Sequence, residues 1–530
     1  MLKTNRKIIL LSIVLFFFLF NTNLYSLVLQ SKKQNIYDVK NPTNNSSNNN
    51  KFKYPIDSPL EYFIEFPENS RNEKKEELQS SETNNLNNYE FNDNELNDSE
   101  IVSEEDFIND NSSDDSLFSD FQETFWKNQG EIAIESRLFK NDHNSFSEDS
   151  GLSVFSRLET RYEKDSLKLV LRGFARIDQK DQDRDFLALE DAYVQLTFNL
   201  NKELKLSFGS KLFNWSTTEA FHPADVINSR NFDSDIEQLE KKGELFLSIS
   251  TKIFDTYTSL YYFPHYESPE YPGKFSRAGY GYKLEKPVWV EGNSKEDIKQ
   301  NPWGYQAGIE ISKNIADSDF SFHIIYHMDR DRPIIESRIN LSPLGATYRL
   351  IPHYFKVLQY GFTYQKVFNT FVLKCESAFR NYIEDDFEIQ TVSGLKKQKD
   401  HGLTALGFEF PFAYENGQET FIFWETQYLW GTDGKKREEL NVFQNDMMLG
   451  FRHAINDMMG KEIYGSLIFD MERHKELVYA LKYTQRLSDI WKIKMGFRIY
   501  DAPEEPGSPV LGLQSLHEDN FIYFNLIRYF

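Results

Sequence analysis

From about Gly130 to the last residue, apolar and polar side chains alternate with a period of two. In LKLVLRGFARID, residues 167–178, one face holds Leu167, Leu169, Leu171, Gly173, Ala175 and Ile177. The other holds Lys168, Arg172, Arg176 and Asp178. In DAYVQLTFNL, Ala192, Val194, Leu196, Phe198 and Leu200 oppose Asp191, Gln195, Thr197 and Asn199. Successive side chains of an extended chain point to opposite sides, so each segment is a strand with one apolar and one polar face. Such strands are predicted near 130–139, 153–162, 167–177, 190–199, 204–213, 244–251, 256–263, 305–312, 319–328, 347–367, 371–382, 402–413, 419–430, 442–453, 462–472, 476–487, 491–500 and 520–530. The count is about 18, within a range of 16–18 for a barrel of this class.

The connections decide what the strands build. Links after even-numbered strands are short, as in EKDS, KNIADS and ENGQ. Most links after odd-numbered strands are long, roughly 10 to 40 residues, and short turns alternating with long loops mark an outer-membrane barrel. The predicted class is all-β: a transmembrane antiparallel β-barrel, apolar outward and polar inward, with both termini on the short-turn side. A soluble sandwich would turn its apolar faces inward, and alternation alone leaves that alternative open strand by strand.

Upstream of the alternation the chain changes character. Lys3, Arg6 and Lys7 precede Ile8–Phe20, an apolar run of 13 residues. A spanning helix needs about 20, so residues 1–26 read as a signal peptide, with a retained anchor as the alternative. Residues 27–130 carry 9 basic and 22 acidic side chains and the tract NPTNNSSNNN. Residues 27–115 are therefore expected to form a disordered, Asn- and acid-rich tail, because too little apolar surface is available to offset the entropy of ordering. In 116–128, Leu117, Phe121 and Phe125 recur every four residues and predict a short amphipathic segment. The barrel is expected over 129–530, and the tail on the periplasmic side.

Aromatic residues reach 15%, with 46 Phe and 29 Tyr, while the mean hydropathy is −0.59, a combination that suits a membrane barrel. Cys375 is the single cysteine, so no intramolecular disulfide or multi-cysteine metal site can form. The predicted lumen is rich in base: Arg157, Arg161, Lys168, Arg172, Arg176, Lys205, Lys211, Lys374, Arg380, Arg452, Lys482, Arg486, Lys492, Lys494 and Arg498. The clearest inward acids are Glu159, Asp191, Glu310, Glu376 and Glu425. Yet residues 131–530 hold 48 basic and 60 acidic residues, which sends most acids to the loops. Lumenal bases of this kind either favour anions or pin acidic loops.

The segment LEDAYVQLTFNLNKELKLSFGSKLFNWSTTEAFHPADVINSRNFD carries three features. They are Ala192-Tyr193-Val194 in one strand, Gly209 to Trp215 closing the next, and Pro223-Ala224-Asp225-Val226 with Asn228 and Arg230. On these residues the sequence resembles bacterial porin-like outer-membrane proteins and, more remotely, alginate-exporter barrels. The chain ends in FIYFNLIRYF, which resembles the C-terminal signal of such barrels, although Arg528 stands where an apolar residue is usual.

The resemblance implies a barrel with a transport role and a third external loop that folds inward. Trp215, Glu219, Asp225, Arg230 and Asp233 would then form a constriction loop. Glu219, Asp225, Asp233 and Asp235 would face Arg172, Arg176, Lys205 and Lys211, while turn capping by Asp225 and Asn228 is the plainer alternative. His323 and His327 share a strand face but lie about 13 Å apart, too far for one metal. DQKDQDRD, residues 178–185, lacks the glycine and final glutamate of a calcium loop. No enzyme motif, cofactor site, metal site or nucleic-acid partner is expected. The reading is a channel for diffusion of small polar solutes, anions among them. The alternative is a surface-binding protein that uses its long loops. Expected partners are outer-membrane lipid, the barrel-assembly machinery and the solutes, with the oligomeric state left open.

Overall fold

The computed structural model describes residues 125–140, 148–199, 203–235, 238–277, 283–292, 294, 298–331, 333–342, 345–384, 386–473, 476–503, 512–517 and 519–530. The expected signal peptide, the acidic tail and most of the amphipathic segment lie outside these residues.

The wall is a closed antiparallel barrel of 18 strands. They are β1 Trp126–Phe139, β2 Ser150–Lys164, β3 Leu167–Asp178, β4 Phe186–Asn199, β5 Glu203–Lys211, β6 Glu244–Ile253, β7 Thr256–His265, β8 Trp303–Ile315 and β9 Ser318–Met328. They continue as β10 Gly345–Val367, β11 Val372–Tyr382, β12 His401–Ala413, β13 Glu419–Trp430, β14 Asn445–Ala454, β15 Glu462–Asp470, β16 Leu477–Ser488, β17 Trp491–Asp501 and β18 Phe521–Tyr529. Each strand pairs with its sequence neighbour, and β18 closes on β1 from Glu131↔Tyr529 to Phe139↔Phe521. Every predicted strand is present. β1 begins at Trp126, so the last residues of the expected amphipathic segment belong to the wall.

One boundary shows why alternation can mislead. β4 was expected from 190 but starts at Phe186. Arg172 pairs with Asp191 and Gly173 with Leu189, leaving Glu190 as an extra residue. This bulge breaks the period of two and turns Glu190 and Asp191, adjacent in sequence, both into the lumen.

Outward positions carry Ile132, Ile134, Leu152, Leu158, Phe208, Leu247, Ile249, Leu260, Ile422 and Leu449, all exposed. Inward positions are buried and largely polar, as Glu135, Glu159, Arg176, Glu376, Glu425, Lys494 and Arg498 illustrate. That partition places the apolar face toward lipid. Short turns are tight: Phe254 and Asp255 both have positive φ, 51° and 59°, the geometry of a two-residue hairpin turn. Closure is completed at the chain end. Gly130 and Phe530 exchange backbone bonds of 2.9 and 3.0 Å. A Cβ on Gly130 would lie 2.6 Å from the Phe530 ring, so the glycine makes room for the terminal aromatic.

On the long-loop side β10 outruns the wall. Its wall partners begin at Lys356 against β9 and Val357 against β11. Before that it pairs with Ile334–Ser342, while Val288–Val290 runs parallel beside His353–Phe355. None of these added strands alternates clearly in sequence.

Candidate functional site

The alternation ends at Lys211, and residues 212–243 form the third long loop. Its exit is shaped by Gly209, where φ is 141° and a Cβ would meet the Ala192 carbonyl oxygen at 2.2 Å. Asn228 ties the two feet of the loop together. Its Oδ1 accepts from Phe213 N at 2.6 Å, and its Nδ2 donates to the carbonyls of Lys211 (3.0 Å) and Lys242 (2.9 Å). Trp215 packs beside Phe213 and Tyr261 and lies 4.7 Å from the His323 ring on β9.

From there the loop reaches β11 and β13, strands separated from β5 by five and seven others in the wall. Glu376 on β11 accepts from Ser216 Oγ (2.9 Å), Thr217 N (3.1 Å), Thr218 Oγ1 (2.9 Å) and Ala224 N (2.7 Å). Glu425 on β13 accepts from Glu219 N and from Ala220 N at 2.8 Å. Lys374 on β11 donates to Glu219 at 2.6 Å and pairs with Glu409 at 3.3 Å. Ala220 and Phe221 join a buried cluster with Phe421, Phe423, Phe443, Tyr464 and Tyr500. Two lumenal carboxylates thus receive four backbone N–H groups of the loop, bonds strengthened by the acceptor's charge.

The charged residues of the loop mostly hold the loop itself. Asp225 pairs with Lys241 at 2.7 Å and with Arg230 at 3.5 Å, and Arg230 also donates to the Asp225 carbonyl at 3.1 Å. Burial would raise the Asp225 pKa, but Lys241 and Arg230 outweigh it and hold the carboxyl below its ordinary value. Asp233 differs. It accepts from Ser276 of the next long loop, and burial pushes its carboxyl up to about 7 despite the nearby Arg184.

Of the loop acids expected to face the β3–β5 bases, Asp225 pairs with Lys241 and Arg230, and Asp233 accepts from Ser276. Glu219 meets Lys374 instead, while Asp235 is described only by its backbone. Arg172 binds Glu190 and Asp191 at 3.1 and 3.0 Å. Arg176 binds Glu135 at 3.1 Å and reaches the loop through Glu240. Arg157 binds Glu131 and Glu190 at 2.9 and 3.0 Å. Arg161 pairs with Glu159, Lys205 with Glu203, and Arg380 with Asp331. Lys211 lies 5.3 Å from the Tyr193 ring, and Lys168 is half-buried on the inward face of β3.

Sequence reasoning therefore undercounted inward acids. Glu131 and Glu135 alternate with Ile132 and Ile134 and were readable as inward. Glu190 was hidden by the bulge, and Glu409 sits opposite Val372 at a wall position where only the register reveals its neighbour Lys374.

Two further groupings have local explanations. Ser216 Oγ contacts His222 Nδ1 and donates to Glu376 at 2.9 Å, so the three side chains meet where the loop is anchored on β11. Asp178 accepts from Lys180 N and Asp181 N and pairs with Arg184 at 2.7 Å, closing its own turn. Among the described residues no group of three or more His, Cys, Asp or Glu side chains is placed to hold a metal ion.

No protein-family model matches the chain, and no curated protein matches it. Among solved structures the chain is similar to a triple mutant of Rh. blastica porin. The identity is 9%, the match covers 76% of this chain and 100% of that one, and the TM-score is 0.37. It is also similar to Salmonella typhi OmpF in complex with daunomycin, at 8% identity, 76% and 97% coverage and a TM-score of 0.38. A closed wall, apolar outside and charged inside, is a porin-like architecture.

Proposed function

We propose that this outer-membrane barrel is a channel through which small polar solutes diffuse, narrowed by the loop 212–243. The observation that carries the reading is the anchoring of that loop on Glu376 and Glu425, across the lumen from β5. A loop held by buried carboxylates and by an aromatic cluster leaves solutes a smaller and more rigid passage than the bare wall would. Charges lining both sides of such a passage orient a dipolar solute and set which ions enter. The β2–β5 bases are largely matched by acids, so they supply alternating charge rather than a purely anionic path. The start of β1 and the end of β18 lie on the short-turn side, which we assign to the periplasm.

A second reading has its own observation. The Ile334–Ser342 strand and the start of β10 form a hairpin past the wall, with Ile339 exposed. Such a projection suits contact with a partner at the cell surface.

Planar-bilayer recording tests the channel. Refolded protein lacking residues 27–115 is expected to give discrete conductance steps. Replacing Glu376 and Glu425 together by Ala should release the loop, raising the step size and the solute cut-off in a liposome-swelling assay. Absence of conductance from correctly folded protein, with and without the tail, would sink the reading.

A further inference from the structure

A cavity of about 80 Å³ lies at the rim where β1, β2, β3 and β18 meet the long loops. At roughly 15 Å³ for each water-sized occupant, it holds about five non-hydrogen atoms. Four bases and five acids line it. Most are matched: Arg184 pairs with Asp178 at 2.7 Å, Lys180 with Glu148 at 3.5 Å, and Arg277 with Asp519. Two acids are not. Asp181, in the turn between β3 and β4, accepts from Asp183 N at 3.0 Å, and Asp233 of the third loop accepts from Ser276 Oγ at 2.5 Å. Among the described residues neither forms an ion pair. The charge of Asp181 also works against ionisation of Asp233, so the two carboxylates are close. Two polar atoms of the lining residues are buried without a hydrogen-bond partner, Asp233 Oδ2 and Arg184 Nη2. Their residues are 9% and 7% exposed and adjacent, since Arg184 Nε donates to the Asp233 carbonyl at 3.3 Å. An open acceptor and an open donor thus sit side by side without satisfying each other. Such atoms cost stability unless a bound group supplies the missing bonds.

We propose that this cavity binds a small zwitterion, an α-amino acid of the size of glycine or alanine. Its ammonium group donates to Asp181 and Asp233, and its carboxylate accepts from Arg184 Nη2. Both ends then make charge-assisted hydrogen bonds, the strong kind. The ammonium also relieves the repulsion between the two carboxylates, which the matched acids of the lining do not need. A simple amine would leave Arg184 Nη2 open, and a simple carboxylate would bring a third negative charge to Asp181 and Asp233. Phe232 and Phe521 line the same cavity and offer apolar contact to a short side chain. A long side chain exceeds the volume. The site lies on the long-loop rim of the barrel, at the mouth through which a solute would enter from that side.

The test titrates the full chain in detergent with glycine, alanine, methylamine and acetate by isothermal calorimetry. It is run at about pH 8, above the Asp233 carboxyl, which burial and Asp181 raise to about 7 while Arg184 and Arg137 lower it. Glycine and alanine are expected to bind at one saturable site, with methylamine and acetate at least about tenfold weaker. D181N/D233N should weaken glycine by about tenfold or more while heat-modifiable migration is kept. R184K keeps a charge beside Asp178 but lacks Nη2, so it should weaken glycine and leave methylamine unchanged. Equal affinity for methylamine and glycine would make the cavity a cation site, and no saturable heat from glycine or alanine would make it a pocket for water. Either result overturns the proposal, and both are read on the parent protein should a variant fail to fold. Binding is measured without conductance. A protein that binds glycine but never conducts refutes the channel and leaves this site standing, whereas conductance without glycine binding does the reverse.

Discussion

Asp233 is a loop side chain that departs from what its type suggests. Asp225, eight residues earlier, meets Lys241 and Arg230 and is held ionised, whereas Asp233 is buried against Ser276 with its carboxyl raised to about 7. The sign of its effect on stability follows. Between its ordinary pKa near 4 and about 7 the folded protein keeps a proton that the unfolded chain has released. In that window stability therefore falls as pH rises, and above it the loss is complete. The contact between the third and fourth long loops should be firmer at pH 5 than at pH 8. D233N should flatten that dependence, read as protease sensitivity of residues 212–277 at the two pH values. An unchanged pH profile in D233N would assign the dependence to another group. Neither residue's role was visible in sequence, because Asp225 and Asp233 look alike there and only burial separates them.

At the scale of elements, the strands were legible and their exceptions are informative. Outward Leu, Ile and Phe mark the period of two, since lipid demands them at every second position. The pattern failed at Glu190, where a bulge inserts one residue, and in the added strands past the wall, which have no lipid face to write it. The third loop was locatable from its length and lost alternation. Its anchors were not, because Glu376 lies 159 residues from Thr217 and looks like any inward acid. The C-terminal strand shows the same limit. The outward row Ile522, Phe524 and Leu526 was readable, but the contact of Phe530 with Gly130 depends on closure. Arg528 fits the row from the membrane rim, its guanidinium 5.9 Å from the Trp491 ring, where a long base can reach water. G130V should unseat Phe530 and lower the temperature at which the folded band disappears in heat-modifiability gels. A band that survives as in the parent would show that closure does not depend on this contact.

For the whole molecule, charge is distributed by strand sector rather than by a simple split between lumen and loops. β1–β5 interleave Glu131, Glu135, Glu159 and Glu190 with their arginines, β11–β13 hold the loop, and β16–β17 stay basic. The external hairpin sits outside this scheme. Wall pairing of β10 starts at Lys356 and Val357, and the residues before it pair only with other non-wall segments. Burial resumes at Ile351, and Tyr354 and Phe355 pack into clusters with Trp289 and with Val290, Tyr382 and Phe387. The barrel should therefore not need residues 334–350. Replacing them with a short Gly-Ser link is expected to leave heat-modifiable migration and conductance steps unchanged, because every inter-strand ladder of the wall survives. Binding to a cell-surface partner, if the hairpin provides it, should be lost in the same variant. Failure of the shortened chain to close would make the hairpin part of the folding unit, and an altered step size would place it over the channel mouth.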